Sequence, residues 1–538
     1  MVRGGDTPSD GRGMRGNRYT GSRSLHGSAM SKLERVEEGV LRPLEKALYR
    51  NQFILGPTFI DEFSSWKRAK IRNSICLSTH PDLNVYQAIQ DDKSITLIGY
   101  IVDPDRSDAS DRDIVNDLIS KISNFDALLD HSGKFGGRWI LIIDDGEQIR
   151  LFHDAVGLRQ VFYTDTDCTA DLWCASQPRL IADRLNLRVD PIAVDFISSF
   201  GQRNSEYWWP GDSCPYVEIK HLLPNHYLDF KVGSSHRYWP NGPLKNLSLN
   251  EATGKTATIM LGLLESIANR YDLAVSLTAG WDSRLVLAAA KGIRDRVSYV
   301  TVKQGRMTDN HPDITIPSLL MSKFGLRHDI VESPAVMDEQ FMPVFNRHVS
   351  FAHEVWGPDA QAIMEYSSHR KVAVTGSASE AARCFYGPMP KRRMTPQSLS
   401  ARVGMGNDPF AVRSFEKWLK GIPDTFNYNL LDLFYWEQRG GNWLAMCQSE
   451  FDIAWREIFT PFNCRNLLMN MLGVEENYRK PPKYELYTEV MLQLWPEILS
   501  APINPHKQKN MSAMLKSSLR NQLRRYTPDF IIRALRGR

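Results

Sequence analysis

The residues best suited to chemistry lie in a short loop between two regular segments. Residues 273–277 are mostly apolar and predict a buried strand, residues 278–280 are small, and residues 285–290 are good helix formers. In a strand–loop–helix unit of this kind, the loop amides and the helix N-terminus point at one place and bind anions. Asp282, in the first helical turn, is placed to hold a metal ion that neutralises phosphate charge. The segment therefore predicts a phosphate-binding site.

Alternating strands and helices follow this loop. Further strands are predicted at residues 297–302, 329–331 and 371–375. A helix beginning at Pro312 separates two of them, and strands that alternate with helices indicate a parallel sheet. Ligands of such sheets bind beyond the carboxyl ends of the strands, where Leu277, Val302 and Thr375 are expected to lie.

A second carboxylate follows the last of these strands. Residues 376–380 read Gly-Ser-Ala-Ser-Glu, so Glu380 comes after a strand end as Asp282 does. Two carboxylates at neighbouring strand ends suit Mg²⁺, which few side chains bind and which phosphate oxygens and water complete. The alternative is that Glu380 is simply an acid favoured by the dipole at the start of a helix.

The part of the chain before the loop is rich in strands. Candidates lie at residues 94–100, 138–144, 149–154, 161–163 and 172–176. Asp145-Gly146 predicts a turn between two of them. Residues 249–271 predict an amphipathic helix leading into the strand at 273. Within that helix, Gly254-Lys255-Thr256 is not a nucleotide-binding P-loop, because that motif needs a Gly at position 249, which is Leu.

The loop resembles a known pyrophosphate-binding motif. Residues 278–283, Thr-Ala-Gly-Trp-Asp-Ser, are similar to the Ser-Gly-Gly-x-Asp-Ser loop of the asparagine synthetase family, and residues 376–380 resemble the family's second, acid-ending loop. Further similar segments occur in the family's order at residues 137–163, 172–182, 222–228, 237–240, 434–439, 460–463 and 494–497. The resemblance spans roughly residues 51–510.

This resemblance implies a mixed α/β fold class with two domains. The expected order is an αββα domain of the N-terminal-nucleophile hydrolase type, then a parallel α/β domain of the PP-loop ATP pyrophosphatase type with C-terminal helices. The predicted bounds are a disordered tail at residues 1–30, a degenerate glutaminase-like domain at 31–240 and an ATP-binding synthetase domain at 241–538.

The resemblance also implies a reaction, cofactors and site residues. A small carboxylate or peptide substrate attacks the α-phosphate of ATP, giving an acyl-adenylate and pyrophosphate, and ammonia or an amine then displaces AMP. ATP and Mg²⁺ are the expected cofactors. The residues expected to bind pyrophosphate are Thr278, Ala279, Gly280, Asp282 and Ser283. Leu277, Val302 and Gly376 are expected to contact adenine and ribose through the backbone. The expected metal ligands are Asp282 and Glu380, and the expected catalytic residues are Glu380 and Lys507, with Lys509 as the alternative lysine.

Two departures from the family change the expected activity. The family's glutaminase needs a cysteine as the first residue of the mature chain, whereas residue 2 is Val2 and the first cysteine, Cys76, lies in a predicted strand. We therefore expect no glutamine hydrolysis. Ser377 stands where asparagine synthetases carry an acid and β-lactam-forming relatives a Tyr. A β-lactam or lasso-peptide type of cyclase, and a non-catalytic ATP-binding homologue, remain alternatives to an asparagine-synthetase-like ligase.

Composition sets broader limits. A net charge of +4 over 538 residues gives no indication of nucleic-acid binding. Seven scattered cysteines do not form a disulfide framework, and no apolar run has membrane-spanning length, so a cytoplasmic protein with no membrane partner is expected. Residues 1–30 are rich in Gly, Arg and Ser; a start at Met30 and an RNA-binding arm are the alternatives to a disordered tail. A homodimer is compatible with the sequence.

Overall fold

The computed structural model describes residues 44–505 except 73–74, 122–123, 306, 368 and 391–392. The predicted tail at residues 1–30 and the predicted Lys507 and Lys509 contacts lie outside this part of the chain. Antiparallel and parallel sheets occur together with many helices, which confirms the mixed α/β class. Within the described residues, no helix combines the length and the apolar run needed to cross a bilayer.

The strands are β1 (Phe53–Gly56), β2 (Lys67–Ile71), β3 (Ile75–Thr79), β4 (Val85–Gln90), β5 (Lys93–Val102), β6 (Gly136–Asp144), β7 (Ile149–His153), β8 (Phe162–Thr164), β9 (Cys174–Ala175), β10 (Ile219–His221), β11 (His226–Asp229), β12 (Ser234–Arg237), β13 (Leu273–Ser276), β14 (Ser298–Lys303), β15 (His328–Glu332), β16 (Val372–Val374) and β17 (Glu457–Phe459). Every strand predicted from the sequence is present, with ends displaced by at most two residues.

The α-helices are α1 (Asp111–Ile119), α2 (Phe125–Ser132), α3 (Pro178–Leu185), α4 (Pro191–Arg203), α5 (Leu249–Ala268), α6 (Trp281–Ala289), α7 (Pro312–Lys323), α8 (Phe341–His348), α9 (Gly357–Ser367), α10 (Pro396–Arg402), α11 (Pro409–Lys420), α12 (Leu430–Phe434), α13 (Ala445–Phe451), α14 (Arg465–Leu472), α15 (Glu476–Arg479) and α16 (Glu485–Leu494). A π-helix, Tyr435–Leu444, joins α12 to α13, and a 3₁₀-helix spans Ser379–Ala382.

Two six-stranded antiparallel sheets form the first half of the described chain. Their strand orders are β10-β8-β9-β1-β3-β2 and β12-β11-β7-β6-β5-β4. Leu77 and Val161 of the first sheet region share one apolar cluster with Ile140 and Leu151 of the second, so the sheets pack face to face. Helices α1 and α2 pack on the outer face of the second sheet and α3 on that of the first. The layers therefore run helix, sheet, sheet, helix.

The second half is built on a five-stranded parallel sheet with the order β15-β14-β13-β16-β17. The chain starts at the central strand β13, adds β14 and β15 on one side, and then crosses to add β16 and β17 on the other. In open α/β sheets, ligands bind at the carboxyl ends of the two strands where this reversal occurs. Here those strands are β13 and β16, which pair in register from Leu273 with Val372.

Alternating residues of β13 face two different cores. Leu273 and Val275 pack in the cluster that contains α5 and α6, while Ala274 belongs to the cluster that contains α8 and α9. Helix α5 begins with a capping box, in which Ser248 and Glu251 satisfy each other's backbone amides. The large cluster also contains Tyr100 and Val102 of β5, so the apolar core continues past residue 240. The domain boundary predicted there stays a prediction.

Candidate functional site

The loop between β13 and α6 is tied together by its own side chains. The Thr278 amide donates to Ser283 Oγ at 3.2 Å, and the Gly280 amide donates to Thr278 Oγ1 at 3.1 Å. The Ala279 amide donates to Asp313 Oδ1 at 2.7 Å, a contact made by the first turn of α7. These three amides, expected to bind pyrophosphate, therefore already have partners, because hydroxyl and carboxylate oxygens satisfy exposed backbone donors.

An anion at this loop would be bound mainly by the first turn of α6. Gly280 is the N-cap residue and makes no side-chain capping bond. The amides of Trp281, Asp282 and Ser283 follow it, and amides at these positions have no acceptor within a helix. Thr278 and Ser283 bring their hydroxyl oxygens to 2.9 Å of each other beside them, so the loop presents hydroxyls and helix amides together.

The backbone amide and carbonyl of Leu277 also have hydrogen-bond partners. Its amide donates to the Val300 carbonyl at 2.8 Å, and its carbonyl accepts from Thr301 Oγ1 at 2.8 Å. The Leu277 amide is therefore not free to donate a hydrogen bond to adenine or ribose. The cause is the parallel pairing with β14, which continues one residue beyond the end of β13.

The loop after β16 lies directly against this first loop. A Cβ atom added to Gly376 would come within 2.6 Å of the Asp282 carbonyl carbon and 2.7 Å of the Asp282 Cβ atom. Ala378 takes a left-handed conformation, with φ of 72°, before the 3₁₀-helix that carries Glu380. The Ser379 hydroxyl donates to Asp282 Oδ1. The expected ribose contact of Gly376 stays a prediction, but its packing against Asp282 is a clear reason for a glycine.

The two predicted metal ligands meet at one guanidinium. Arg383 Nη2 lies 3.1 Å from Asp282 Oδ2 and 3.3 Å from Glu380 Oε1. Each carboxylate side chain is 22% exposed, whereas Arg383 is 12% exposed and covered by the rings of Tyr484 and Tyr487. Arg383 was not predicted from the sequence, although its position three residues after Glu380 places it within reach of that acid.

The charge balance at this cluster remains unfavourable for two ionised acids. Burial and the nearby Asp282 carboxylate raise the pKa of Glu380 to about 7, although Arg383 acts to lower it. Partly exposed carboxylate oxygens are the ligand type that Mg²⁺ prefers, and a divalent cation would relieve the repulsion between them. The residues present therefore fit Mg²⁺, with Asp282 and Glu380 as the side chains that would hold it.

A second group of side chains has the residue types of a metal site, but both ring nitrogens of its histidine are already hydrogen-bonded within the protein. Within the described ranges, the only cluster of three or more His, Cys, Asp or Glu side chains with ligand atoms within 4.8 Å of one another is His353, Cys447 and Glu450. His353 Nδ1 lies 2.8 Å from Glu450 Oε1, and Nε2 lies 2.7 Å from the Tyr207 carbonyl. Burial alone would lower the pKa of His353, but the Glu450 carboxylate raises it. This is a buried ion pair, since both ring nitrogens are occupied.

A cavity of about 320 Å³ opens at the carboxyl edge of the parallel sheet. We call it the switch-point pocket, because Ser276 of β13, Val302 of β14 and Thr375 after β16 line it. Its opposite wall includes Trp443 and Gln448, which come from the π-helix and from α13. Val302 therefore lines this pocket, and its expected contact with adenine or ribose stays a prediction. Gln448 was not identified from the sequence, because nothing in its local pattern marks it.

Comparison with known proteins gives little further information. No protein-family model and no curated protein sequence matches the chain. The allosteric regulatory enzyme of purine biosynthesis is 11% identical, with a TM-score of 0.23, over 58% of this chain and 76% of that one. Glutamine phosphoribosylpyrophosphate amidotransferase from B. subtilis, complexed with ADP and GMP, is 11% identical, with a TM-score of 0.19, over 68% of this chain and 86% of that one. These are distant similarities to solved amidotransferase structures, and TM-scores this low do not indicate a function for this chain.

Proposed function

We propose that this chain is an ATP-dependent amide ligase that resembles asparagine synthetases and forms AMP and pyrophosphate. The observation that carries the proposal is the meeting of Asp282 and Glu380 at Arg383, where β13 and β16 end on either side of the reversal in strand order. That edge is where parallel α/β sheets bind their ligands. The loop sequence, Thr278 to Ser283, supports pyrophosphate as the ligand.

The proposed chemistry is the activation of a carboxylate followed by amide formation. A carboxylate oxygen of the substrate attacks the α-phosphorus of ATP, the bond to the β-phosphate oxygen breaks, and pyrophosphate leaves. The nitrogen of ammonia or an amine then attacks the acyl carbon, loses a proton, and displaces AMP. The substrate is a small carboxylate or a peptide.

The protein's contribution is mainly electrostatic. Charge develops on the phosphates as pyrophosphate leaves, and preorganised donors and cations stabilise it. The first-turn amides of α6 would bind the pyrophosphate oxygens. Asp282 and Glu380 would hold Mg²⁺, which supplies charge neutralisation when bound. Arg383 keeps the two carboxylates close together at 3.1 and 3.3 Å from its Nη2 atom.

Glutamine hydrolysis is not part of the proposed function. Cys76, the first cysteine in the sequence, lies inside β3, which pairs with β1 on one side and β2 on the other. A residue in the middle of a paired strand has no α-amino group to activate its own thiol. We expect purified protein to release no glutamate from glutamine.

The proposal is tested by the products formed from ATP. Purified protein is incubated with ATP, Mg²⁺ and a panel of small carboxylates and peptides, with and without ammonia, and the nucleotides are separated. We expect at least one carboxylate to cause release of AMP and pyrophosphate. Release of ADP and phosphate instead would contradict a pyrophosphate-forming loop, and no cleavage with any member of a broad panel would favour the non-catalytic alternative.

A further inference from the structure

The buried ion pair of His353 and Glu450 lies beside a third side chain with a metal-binding atom, the thiol of Cys447. One ligand atom of each residue lies within 4.8 Å of those of the other two, and the three residues are at most 9% exposed. Cys447 and Glu450 are three residues apart in α13, so they project from one face of that helix. Atoms that bind one tetrahedral Zn²⁺ lie about 3.3–3.6 Å apart, given metal–ligand distances of about 2.0–2.3 Å. The spacing of the cluster is therefore close to that of a metal site.

The hydrogen bonds of His353 orient its ring as the ring of a metal-binding histidine is oriented. Nε2 lies 2.7 Å from the Tyr207 carbonyl, which can only accept, so Nε2 carries a proton and donates it. Histidine ligands of metals usually donate their second ring nitrogen to a carbonyl or carboxylate oxygen in this way. Nδ1 is 2.8 Å from Glu450 Oε1, and in the ion pair it also carries a proton. An ion between these two atoms would take the place of that proton.

The Glu450 carboxylate is only partly satisfied by the protein. Its Oε1 atom accepts from the His353 backbone amide at 2.8 Å and faces Nδ1 of the same residue. Its Oε2 atom is buried and has no hydrogen-bond partner among the described residues. An unpaired carboxylate oxygen in the interior is costly. This observation, independent of the spacing of the cluster, indicates that the carboxylate has a further partner.

The charges of the cluster cancel both without and with a dication. Burial opposes it, but the Glu450 carboxylate raises the pKa of His353, so the two form a neutral pair. Burial also raises the pKa of the Cys447 thiol, which keeps the thiol neutral in the absence of an ion. With a dication, neutral His353 and the anions of Cys447 and Glu450 again give a net charge of zero. Glu206, which acts on both His353 and Cys447, is itself paired with Arg439. Exchange of two protons for one dication therefore leaves no uncompensated charge in the interior.

We propose that His353 Nδ1, Cys447 Sγ and the Glu450 carboxylate form a binding site for Zn²⁺, in which one ion displaces the Nδ1 proton and the thiol proton. Zn²⁺ accepts nitrogen, sulfur and oxygen ligands together, whereas Mg²⁺ and Ca²⁺ prefer oxygen alone. Three protein ligands leave a fourth position for water. Cys447 also lines the switch-point pocket, which gives the ion a route from solvent. The site is independent of the proposed ligase activity and of the Mg²⁺ site at Asp282 and Glu380.

Metal binding by the full-length protein tests this proposal without any turnover. The protein is stripped with EDTA and titrated with Zn²⁺ or Co²⁺ in excess Mg²⁺, which competes for sites made of oxygen alone. Co²⁺ bound by a thiolate absorbs strongly through sulfur-to-metal charge transfer, which the carboxylates of Asp282 and Glu380 cannot produce. We expect one equivalent of Zn²⁺ to bind, Co²⁺ to give the charge-transfer absorption, and Zn²⁺ to abolish it. Absence of this absorption in the unaltered protein overturns the proposal.

Cys447→Ser removes the thiolate and keeps the size of the side chain. We expect this variant to lose the charge-transfer absorption and to bind Zn²⁺ more than about 100-fold more weakly, because loss of an outer hydrogen-bond partner alone costs about 10–100-fold. Cys464→Ser, at a position that is also buried, is the matched control and keeps both properties. A folded Cys447→Ser variant that keeps the absorption overturns the proposal.

A second variant covers the case in which Cys447→Ser does not fold. His353→Gln keeps a donor for Glu450 but removes the nitrogen ligand, so we expect a similar loss of Zn²⁺ affinity. Circular dichroism checks the fold of each variant. Unchanged Zn²⁺ affinity in a folded His353→Gln variant overturns the proposal. Absence of AMP formation would overturn only the proposed function, because Zn²⁺ binding is measured without ATP.

Discussion

At the scale of single residues, the candidate site is a cluster of two acids and one base. Arg383 is close enough to pair with either carboxylate, but burial and the neighbouring Asp282 carboxylate outweigh its effect and raise the pKa of Glu380 to about 7. Strongly shifted pKa values of this kind cluster at functional sites. We therefore expect the cluster to attract a further positive charge.

Glu380→Gln tests that attraction. Loss of one carboxylate weakens Mg²⁺ binding, so we expect the Mg²⁺ concentration at half-maximal ATP–pyrophosphate exchange to rise, with partial recovery when Mn²⁺ replaces Mg²⁺. Glu489→Gln, at an exposed position of α16, is the control and should leave the Mg²⁺ dependence unchanged. An unaltered Mg²⁺ dependence in Glu380→Gln would remove Glu380 from the metal site.

A buried histidine makes stability depend on pH. His348 Nδ1 accepts from the Tyr49 amide at 3.0 Å, and Nε2 lies 3.0 Å from the Ser449 carbonyl, so the neutral ring satisfies both contacts. Burial lowers the pKa of His348 from 6.5 to about 4. The unfolded chain therefore binds a proton below about pH 6.5 that the folded chain does not bind until about pH 4.

The free energy of unfolding is accordingly expected to fall as the pH drops through this window. The contribution of His348 is roughly 3 kcal/mol in total, because each unit of pKa corresponds to about 1.4 kcal/mol. Urea unfolding at a series of pH values measures it. We expect His348→Gln to be less stable near neutral pH but to show a shallower pH dependence. Equal slopes for the two proteins would show that His348 does not cause the effect.

At the scale of elements, two loops must approach closely for the site to exist. Gly376 permits this, since any side chain there would overlap the backbone of Asp282. We expect Gly376→Ala to lower the free energy of unfolding by about 1–3 kcal/mol and to reduce ATP–pyrophosphate exchange by moving Glu380 away from Asp282. Both quantities are measurable on the same preparation.

Gly254→Ala provides the matched control. Gly254 lies within α5, and a Cβ atom there would have nothing within 4 Å. Because alanine is the better helix former, this change should stabilise the protein by about 0.5–1 kcal/mol and leave exchange unaffected. Equal stability of Gly376→Ala and the unaltered protein would mean that the two loops are not held in contact.

Most elements around the site could be predicted from the sequence, because each has a strong local signal. Strands β13 and β14 are short apolar runs, and α6 is a run of helix formers, so their positions follow from periodicity. The π-helix Tyr435–Leu444 was not predicted, since its i→i+5 bonding has no simple pattern. Strand β17 was also missed, because its three residues begin with a charged one, Glu457, whose partner Arg159 lies far away in the chain.

The site itself was only half predictable, for a physical reason. Asp282 and Glu380 follow strand ends, and the parallel sheet brings strand ends together whatever the details of packing. Asp313 and Gln448 reach the site and the switch-point pocket through contacts between elements distant in the chain, which no local pattern records. Arg383 follows Glu380 by three residues, but its contact with Asp282 is of the same long-range kind. The hydrogen bond from the Ala279 amide to Asp313 is another contact of this kind.

At the scale of the whole molecule, a buried ion network connects the antiparallel and parallel sheets. Arg138 of β6 forms two hydrogen bonds with Asp452, at 2.7 and 3.0 Å, and Arg159 lies 2.7 Å from Glu457 of β17. All four side chains are at most 9% exposed. Removal of one partner would leave an uncompensated buried charge, so the two sheets should unfold together.

Arg138→Met is expected to lower the free energy of unfolding by about 3–5 kcal/mol, the usual cost of breaking a buried pair from one side. Adding Asp452→Asn to this variant should recover part of the loss. Lys420→Met, which disrupts an exposed pair with Glu416, should cost less than about 1 kcal/mol. Denaturant unfolding followed by circular dichroism measures all three. Two separate transitions in the unaltered protein would contradict the cooperative unit.

The most direct test of the central claim is ATP–pyrophosphate exchange in Asp282→Asn, measured with whichever carboxylate supports exchange in the unaltered protein. Asp282 supplies the negative charge that would hold Mg²⁺ against the departing pyrophosphate, so its neutralisation is expected to lower the exchange rate by about 10²–10³. Asp295→Asn, at an exposed position after α6, should exchange at the normal rate. If a correctly folded Asp282→Asn variant exchanges as fast as the unaltered protein, Asp282 is only a helix-start residue and the loop is not a pyrophosphate site.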